Sequence, residues 1–281
     1  MPNHLVLVRH GESEGNVVAR AGKAGNEQLF TDEFFERPGH EWRLTDVGVE
    51  QAEAAGLWIG KFLLNVYPEL NDGFGVYYTS PHVRTRETAG HLAIDGANWR
   101  KERRIRERDW GDIESMSRSQ FEKDYPQNAT KKYKDPLYWQ PPGGESIAGV
   151  ADTRVRSMHG TLHRQHDEKD KDSAIFATHG EYIWAEHLDL ERMGHEEWKI
   201  AESDASRKIK NCQVVHFTRL NPESGYQAPS LAWVRSVCPW ETPDHPGHWR
   251  NIEMSQFSNE QLLAEVDQIP RLDLSVDQAS Y

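Results

Sequence analysis

Leu5-Val6-Leu7-Val8-Arg9-His10-Gly11-Glu12-Ser13 is an apolar run that stops abruptly in arginine, histidine and glycine, with Asn16 just beyond. A short aliphatic and β-branched stretch bounded by a turn signal reads as a buried strand. In an open α/β sheet, ligands bind outside the carboxyl ends of the strands. Arg9 and His10 are therefore expected at the functional edge of a sheet, with Gly11 letting the backbone turn. An arginine beside a histidine offers a fork that matches phosphate next to a nitrogen nucleophile.

Two further strands end in the same way. Gly75-Val76-Tyr77-Tyr78-Thr79-Ser80 leads into Pro81, which predicts a helix with Ser80 as its cap and Pro81 in its first turn. Arg84 then lies near the helix end that favours anions, and Arg86 points elsewhere. Ala174-Ile175-Phe176-Ala177-Thr178 ends in His179-Gly180-Glu181 and feeds another helix. His10, Arg84 and His179, far apart in sequence, can thus meet at one sheet edge.

Between these strands, Leu44-Thr45-Asp46-Val47-Gly48 opens a helix that Thr45 can cap, with Val49, Ala52, Gly56, Ile59, Leu63 and Val66 on one face. Ser146 can cap another, whose buried face is Ile147, Val150, Ala151, Val155, Met158 and Leu162. Residues 17–43 lack periodicity and read as irregular. Residues 112–140 read as helix and loop over the sheet edge, and residues 17–43 with part of 112–142 are expected to frame the pocket mouth. Residues 166–172, of mixed charge, read as a solvated loop. Cys212–Thr218 and Leu231–Arg235 form a late hairpin, and a short helix is expected from Asn259 to Ile269.

The motifs as a set resemble the histidine phosphatase superfamily, which includes the phosphoglycerate mutases. The matching residues are Arg9-His10-Gly11-Glu12-Ser13 with Asn16, Leu44-Thr45 with Gly48 and Gln51-Ala52, and Tyr78-Thr79-Ser80-Pro81 with Arg84 and Thr88-Ala89. Glu107-Arg108 with Trp110-Gly111, Gly144-Glu145-Ser146 and His179-Gly180 complete it. The resemblance covers residues 4 to about 182 and implies an α/β three-layer sandwich, a mostly parallel sheet with helices on both faces. No internal repeat or linker interrupts the chain, so a single domain over 1–281 is expected, with an irregular, Pro- and Trp-containing C-terminal extension from about 243. The resemblance also implies phosphoryl transfer through phospho-His10, with Arg9, Arg84 and His179 clamping phosphate, Asn16 contacting it, and Glu107 as acid and then base.

Composition narrows the partners. The formal net charge of −12, from 45 acidic and 33 basic residues, argues against a general binder of nucleic acid or anionic membranes. An anionic small molecule is still compatible with a local Arg/His cluster. Two cysteines exclude a disulfide framework and a four-cysteine zinc site. No apolar run approaches the roughly 18 residues of a membrane span, and a strand starting near residue 4 leaves no room for a secretory leader. A cytoplasmic protein is expected, with no cofactor and no metal required, and with a homo-oligomer compatible with the sequence.

Phosphoglycerate mutases resemble one another in an adjacent Arg pair between the acid and the second histidine. Here that stretch offers Lys131-Lys132-Tyr133-Lys134. The expected activity is hydrolysis of a small phosphomonoester. The competing readings are a cofactor-dependent phosphoglycerate mutase and a catalytically silent binder of phosphorylated ligands, which would need neither His10 nor Glu107.

Overall fold

The computed structural model describes residues 1–114, 116–166, 172–254 and 256–272. Its centre is a seven-stranded sheet. The strands are β1 (His4–Arg9), β2 (Val76–Thr79), β3 (Trp99–Lys101), β4 (Ser173–Thr178), β5 (Val214–Thr218), β6 (Trp233–Val237) and β7 (Arg250–Asn251), in the spatial order β3-β2-β4-β1-β5-β6-β7. The four strands β3, β2, β4 and β1 run parallel, whereas β5, β6 and β7 add antiparallel to the β1 edge. β5 and β6 are the expected hairpin.

Alternation along β1 builds two cores. Leu5 and Leu7 face one side with Phe176, Phe217, Ile147, Val155, Met158 and Tyr182. Val6 and Val8 face the other with Ile175, Ala52, Ala55, Trp58 and Leu63. All four β1 residues are fully buried, the signature of a strand covered on both faces. The sandwich of helix, sheet and helix is therefore as expected.

The first covering layer is α3 (Asp46–Ile59). Thr45 caps it, its Oγ1 accepting from the Gly48 amide at 3.1 Å. The helix ends in one π turn at Gly60–Leu64. Ala55 and Trp58, ahead of that turn, are buried, and Val66, beyond it, is exposed, contrary to the simple face read from the sequence. On the opposite face α7 (Ile147–Val150), capped by Ser146, runs through a π turn into α8 (Arg156–His166). The six residues expected on its inner face are all buried.

Residues 17–43 are not irregular. They contain most of α1 (Glu14–Lys23), α2 (Asp32–Glu36) and a 3-10 turn at Gly39–Glu41. The periodicity is hidden because α1 buries a single large apolar residue, Val18, and its closest approaches are at Gly15 and Gly22, which carry no apolar signal. The helix after β2 also starts later than expected: α4 spans Val83–His91 with His82 at its cap. Ser80 remains tied to the sheet, its amide donating to Ala177 at 3.0 Å, so Pro81 makes a bend. The remaining helices are α5 (Arg118–Asp124), α6 (Pro126–Lys134), α9 (Gly180–Leu190), α10 (His195–Ser203) and α11 (Asn259–Asp267). Most of the mixed-charge run 166–172 lies outside the described residues. Among the described residues no helix is long and apolar enough to cross a membrane.

Gly11 serves packing, not turning. Its φ is not in the left-handed region. A Cβ there would stand 2.3 Å from the Gly48 carbonyl oxygen, and one on Gly48 would stand 2.1 Å from the Glu12 oxygen. The paired glycines let the α3 N-terminus sit against the loop that carries His10.

Buried histidines couple stability to pH. His216 donates to His4 Nδ1 (2.9 Å), His4 donates to Glu69 (2.8 Å), and Arg235 donates to His216 (3.3 Å), a chain that holds when both imidazoles are neutral. Burial keeps both below the ordinary histidine value. His159 behaves oppositely: burial lowers it, but Glu186 and Asp189 overcome this and raise it to about 10. Groups with lowered folded values cost stability as pH falls below 6.5, because the unfolded chain then binds protons that the fold refuses. The His159 contribution is complete below 6.5 and fades as pH rises toward 10. The melting temperature is expected to peak near about pH 7, and His159→Gln should flatten the alkaline limb. A profile level from acid to alkali, measured by calorimetry, would contradict both networks.

Candidate active site

Sheet register brings the candidate residues together. Arg9 pairs with Thr178 and Thr79 with Ala177, so His10 and His179 emerge side by side, with Ser80 next to them. The two imidazoles meet edge-on, centroids 5.2 Å apart. Arg84, in the first turn of α4, reaches between them: Nε donates to His10 Nε2 at 3.2 Å and Nη2 lies 3.2 Å from His179 Nδ1. Its Nη1 donates to the Gly39 carbonyl at 2.8 Å. Glu107 Oε2 is 3.7 Å from His179 Nδ1, while Oε1 accepts from the Arg108 amide at 2.9 Å.

These contacts set the tautomers. His10 Nδ1 is 2.7 Å from the Gly11 carbonyl, which only accepts, so Nδ1 carries the proton. Nε2 therefore presents its lone pair to the cluster. Burial, then Arg84 and Arg9, hold His10 well below the ordinary histidine value, so it is neutral at pH 7. His179 accepts from Arg84 at Nδ1 and donates through Nε2 to Ser80 Oγ at 2.8 Å. Burial, Arg84 and His10 hold it neutral as well. Glu107 shifts the other way. Burial and the nearby Glu181 raise it above the usual carboxylate range, against the pull of Arg84 and Arg9. A neutral nitrogen base and a carboxyl group biased toward its acid form thus share one site.

Arg9 and Asn16 are placed differently. Arg9 donates from Nη1 to the Ile209 carbonyl (2.7 Å), and its buried Nε has no hydrogen-bond partner. It acts on His10 and His179 through its charge, not through a hydrogen bond. Asn16 Oδ1 accepts from the Ser13 amide (3.2 Å) and from Asn211 Nδ2 (2.9 Å), which fixes its amide and turns its own Nδ2 into the remaining donor.

Sequence reasoning missed three residues. Asn211 Nδ2 also donates to the His10 carbonyl at 3.1 Å, bracing the strand end. Ser80 orients His179. His82 stacks edge-on against His179 at 4.8 Å and is pushed down to about 3 by burial, Arg84 and His40. Only the neighbouring Pro81 and the strand end hinted at the last two, and nothing local marks Asn211.

His10, Glu107 and His179 offer ligand atoms within 4.8 Å of one another, which is close enough for a metal ion. The Arg84 guanidinium already stands among them and would repel a cation. The cluster is built for an anion carrying several oxygens. Its cavity, about 170 Å³, is bordered by His10, Asn16, Arg84 and Glu107 and, as expected of the two flanking stretches, by Phe34 and Trp42 on one side and Glu114 and Met116 on the other.

The sequence matches the Histidine phosphatase superfamily (branch 1) over residues 5–219. The chain belongs to this superfamily. Phosphoglycerate mutase-like protein AT74 of Arabidopsis thaliana is 33% identical over 175 residues, 59% of this chain and 48% of that protein, so this match spans about half the relative's length. A 2,3-bisphosphoglycerate-dependent phosphoglycerate mutase of Azorhizobium caulinodans is 27% identical over 207 residues, 70% of this chain and 85% of that protein. Among solved structures, a mycobacterial glucosyl-3-phosphoglycerate phosphatase in complex with VO3 matches with a TM-score of 0.55 at 25% identity, over 77% of this chain and 91% of that one. Proteins named as phosphatases and as mutases are thus both among those it is similar to.

Proposed function

We propose that this histidine phosphatase hydrolyses a small phosphomonoester through a phosphohistidine formed at His10 Nε2. The observation that carries this reading is the His10 tautomer: Nδ1 is locked on the Gly11 carbonyl and the Nε2 lone pair faces Arg84. The Nε2 pair attacks phosphorus, the bond from phosphorus to the ester oxygen breaks, and its electrons leave on that oxygen. Glu107 gives the alkoxide its proton. Water then attacks the phosphohistidine, Glu107 takes the proton back, and the electrons of the breaking P–N bond return to Nε2. Throughout, Arg84 turns its Nε and Nη2 donors from the imidazoles to the phosphoryl oxygens, where fixed positive charge is most effective. Once His179 loses its donor, the nearby dianion favours a proton on Nδ1, making it another donor. Asn16 Nδ2 and the Arg9 charge complete the clamp.

The relatives named as mutases favour a second reading, transfer to another hydroxyl before water attacks. A mutase must hold its substrate's carboxylate with extra fixed cations in a closed site. The lysines that could replace the family's Arg pair argue against this. Lys132 lies over the Trp139 ring at 4.8 Å, and neither it nor Lys131 borders the cavity. Supplied with 2-phosphoglycerate and a catalytic trace of 2,3-bisphosphoglycerate, the enzyme is expected to release phosphate. Rapid conversion to 3-phosphoglycerate with little free phosphate would replace the hydrolase reading with the mutase one.

A further inference from the structure

The lining of the cavity is rich in aromatic side chains. Phe30, Phe34, Trp42 and Trp110 border it, Arg84 is the one cation among the bordering residues, and Glu114 adds an acidic group beside Glu107. The wall is built into the fold. A Cβ at Gly15 would stand 2.2 Å from the Trp42 ring, and one at Gly22 would stand 2.8 Å from the Phe30 ring, so both rings occupy notches in α1 that only glycine leaves. Phe34 stacks on Trp42 with centroids 4.9 Å apart and planes 12° from parallel. The segment is fastened by Arg37 to Glu14 (3.0 Å), by the Gly39 carbonyl to Arg84, and by Arg43 to Glu87.

Within that wall Trp42 Nε1 is buried and has no hydrogen-bond partner. The single bordering cation is committed to the phosphoryl group. A second anionic group on the substrate would lie against rings and beside Glu114, with no donor fork to receive it.

We propose that the alcohol half of the substrate is an uncharged, ring-bearing group, seated against Phe34, Trp42 and Trp110. A cavity of about 170 Å³ bounds that half to about one ring within the walls. The inference rests on the phosphatase reading and names the substrate class for it. Phosphorylated sugar acids, polyanionic and without an apolar face, are excluded from the preferred substrates.

The test compares kcat/KM for 2-phenylethyl phosphate, ethyl phosphate and 3-phosphoglycerate. The first two release alcohols of similar acidity, so a difference between them reports recognition and not leaving-group chemistry. The expected preference for the phenyl ester over the ethyl ester is at least about tenfold, with 3-phosphoglycerate no better than ethyl phosphate. In Phe34→Ala and in Gly15→Ala, which displaces Trp42 without removing any bordering side chain, the preference should fall to about threefold or less, with a thermal melt showing that each variant is folded. Equal wild-type rates on the two esters, a preference for 3-phosphoglycerate, or a preference that survives in folded Phe34→Ala would overturn the inference and leave the phosphatase reading standing. No phosphate release from these three esters or from p-nitrophenyl phosphate would overturn both.

Discussion

His10→Ala is expected to lose at least about 10⁴-fold in kcat on every phosphomonoester that the wild type accepts. No other group can replace the nucleophile. His179 is the nearest nitrogen base, but its Nδ1 accepts from Arg84 and its Nε2 proton is held by Ser80 at 2.8 Å. With substrate bound and Arg84 drawn to the phosphoryl oxygens, Nδ1 takes up a proton, so His179 has no lone pair to present. The substitution removes one buried imidazole and leaves Arg84 anchored on the Gly39 carbonyl, so the variant is expected to stay folded. Quench of wild type in alkaline detergent during turnover of a ³²P-labelled ester should trap protein-bound phosphate that is stable in base and lost on later acidification. The alanine variant should trap none. Normal turnover in that variant would refute the phosphohistidine mechanism.

The second large effect separates the acid from the clamp. Glu107→Gln is expected to slow hydrolysis of an alkyl phosphate by about 10²- to 10⁴-fold, and of p-nitrophenyl phosphate by less than about tenfold. An alkoxide cannot leave without a proton, whereas a nitrophenolate can. The wild-type side chain is suited to the task because burial and Glu181 raise its pKa while Arg84 and Arg9 keep the carboxylate within reach for the second step. The amide keeps the shape and can still accept from the Arg108 amide. The alkaline limb of kcat for the alkyl ester should vanish with the carboxyl group. An equal loss on both esters would assign Glu107 a purely structural part.

Much of this site was legible before any coordinates. The uninterrupted Leu5–Val8 run announces a strand buried on both faces, and it is. His10 and His179 stand at strand ends in the sequence and at adjacent strand ends in the sheet. Thr45 and Ser146 cap the helices they precede, because a cap is a bond between residues three apart. The chain from 17 to 43 was illegible because its first helix buries only Val18 beside its glycine notches, and a notch leaves no mark in a hydrophobic pattern.

The sequence by itself determined what local chemistry can encode: strands by alternation and burial, helix starts by capping, and the residue types needed around a phosphoryl group. Tertiary structure decided the rest. It set the His10 tautomer through a carbonyl one residue away. It brought Asn211 onto that residue across 201 positions and turned Ser80 from a helix cap into the partner of His179. It also laid Trp42 in the Gly15 notch, which made one wall of the cavity aromatic. These contacts depend on strand register and on the close approach of distant segments. Neither is carried by the spacing of residues along the chain, because the same spacing is compatible with many ways of packing one element against another.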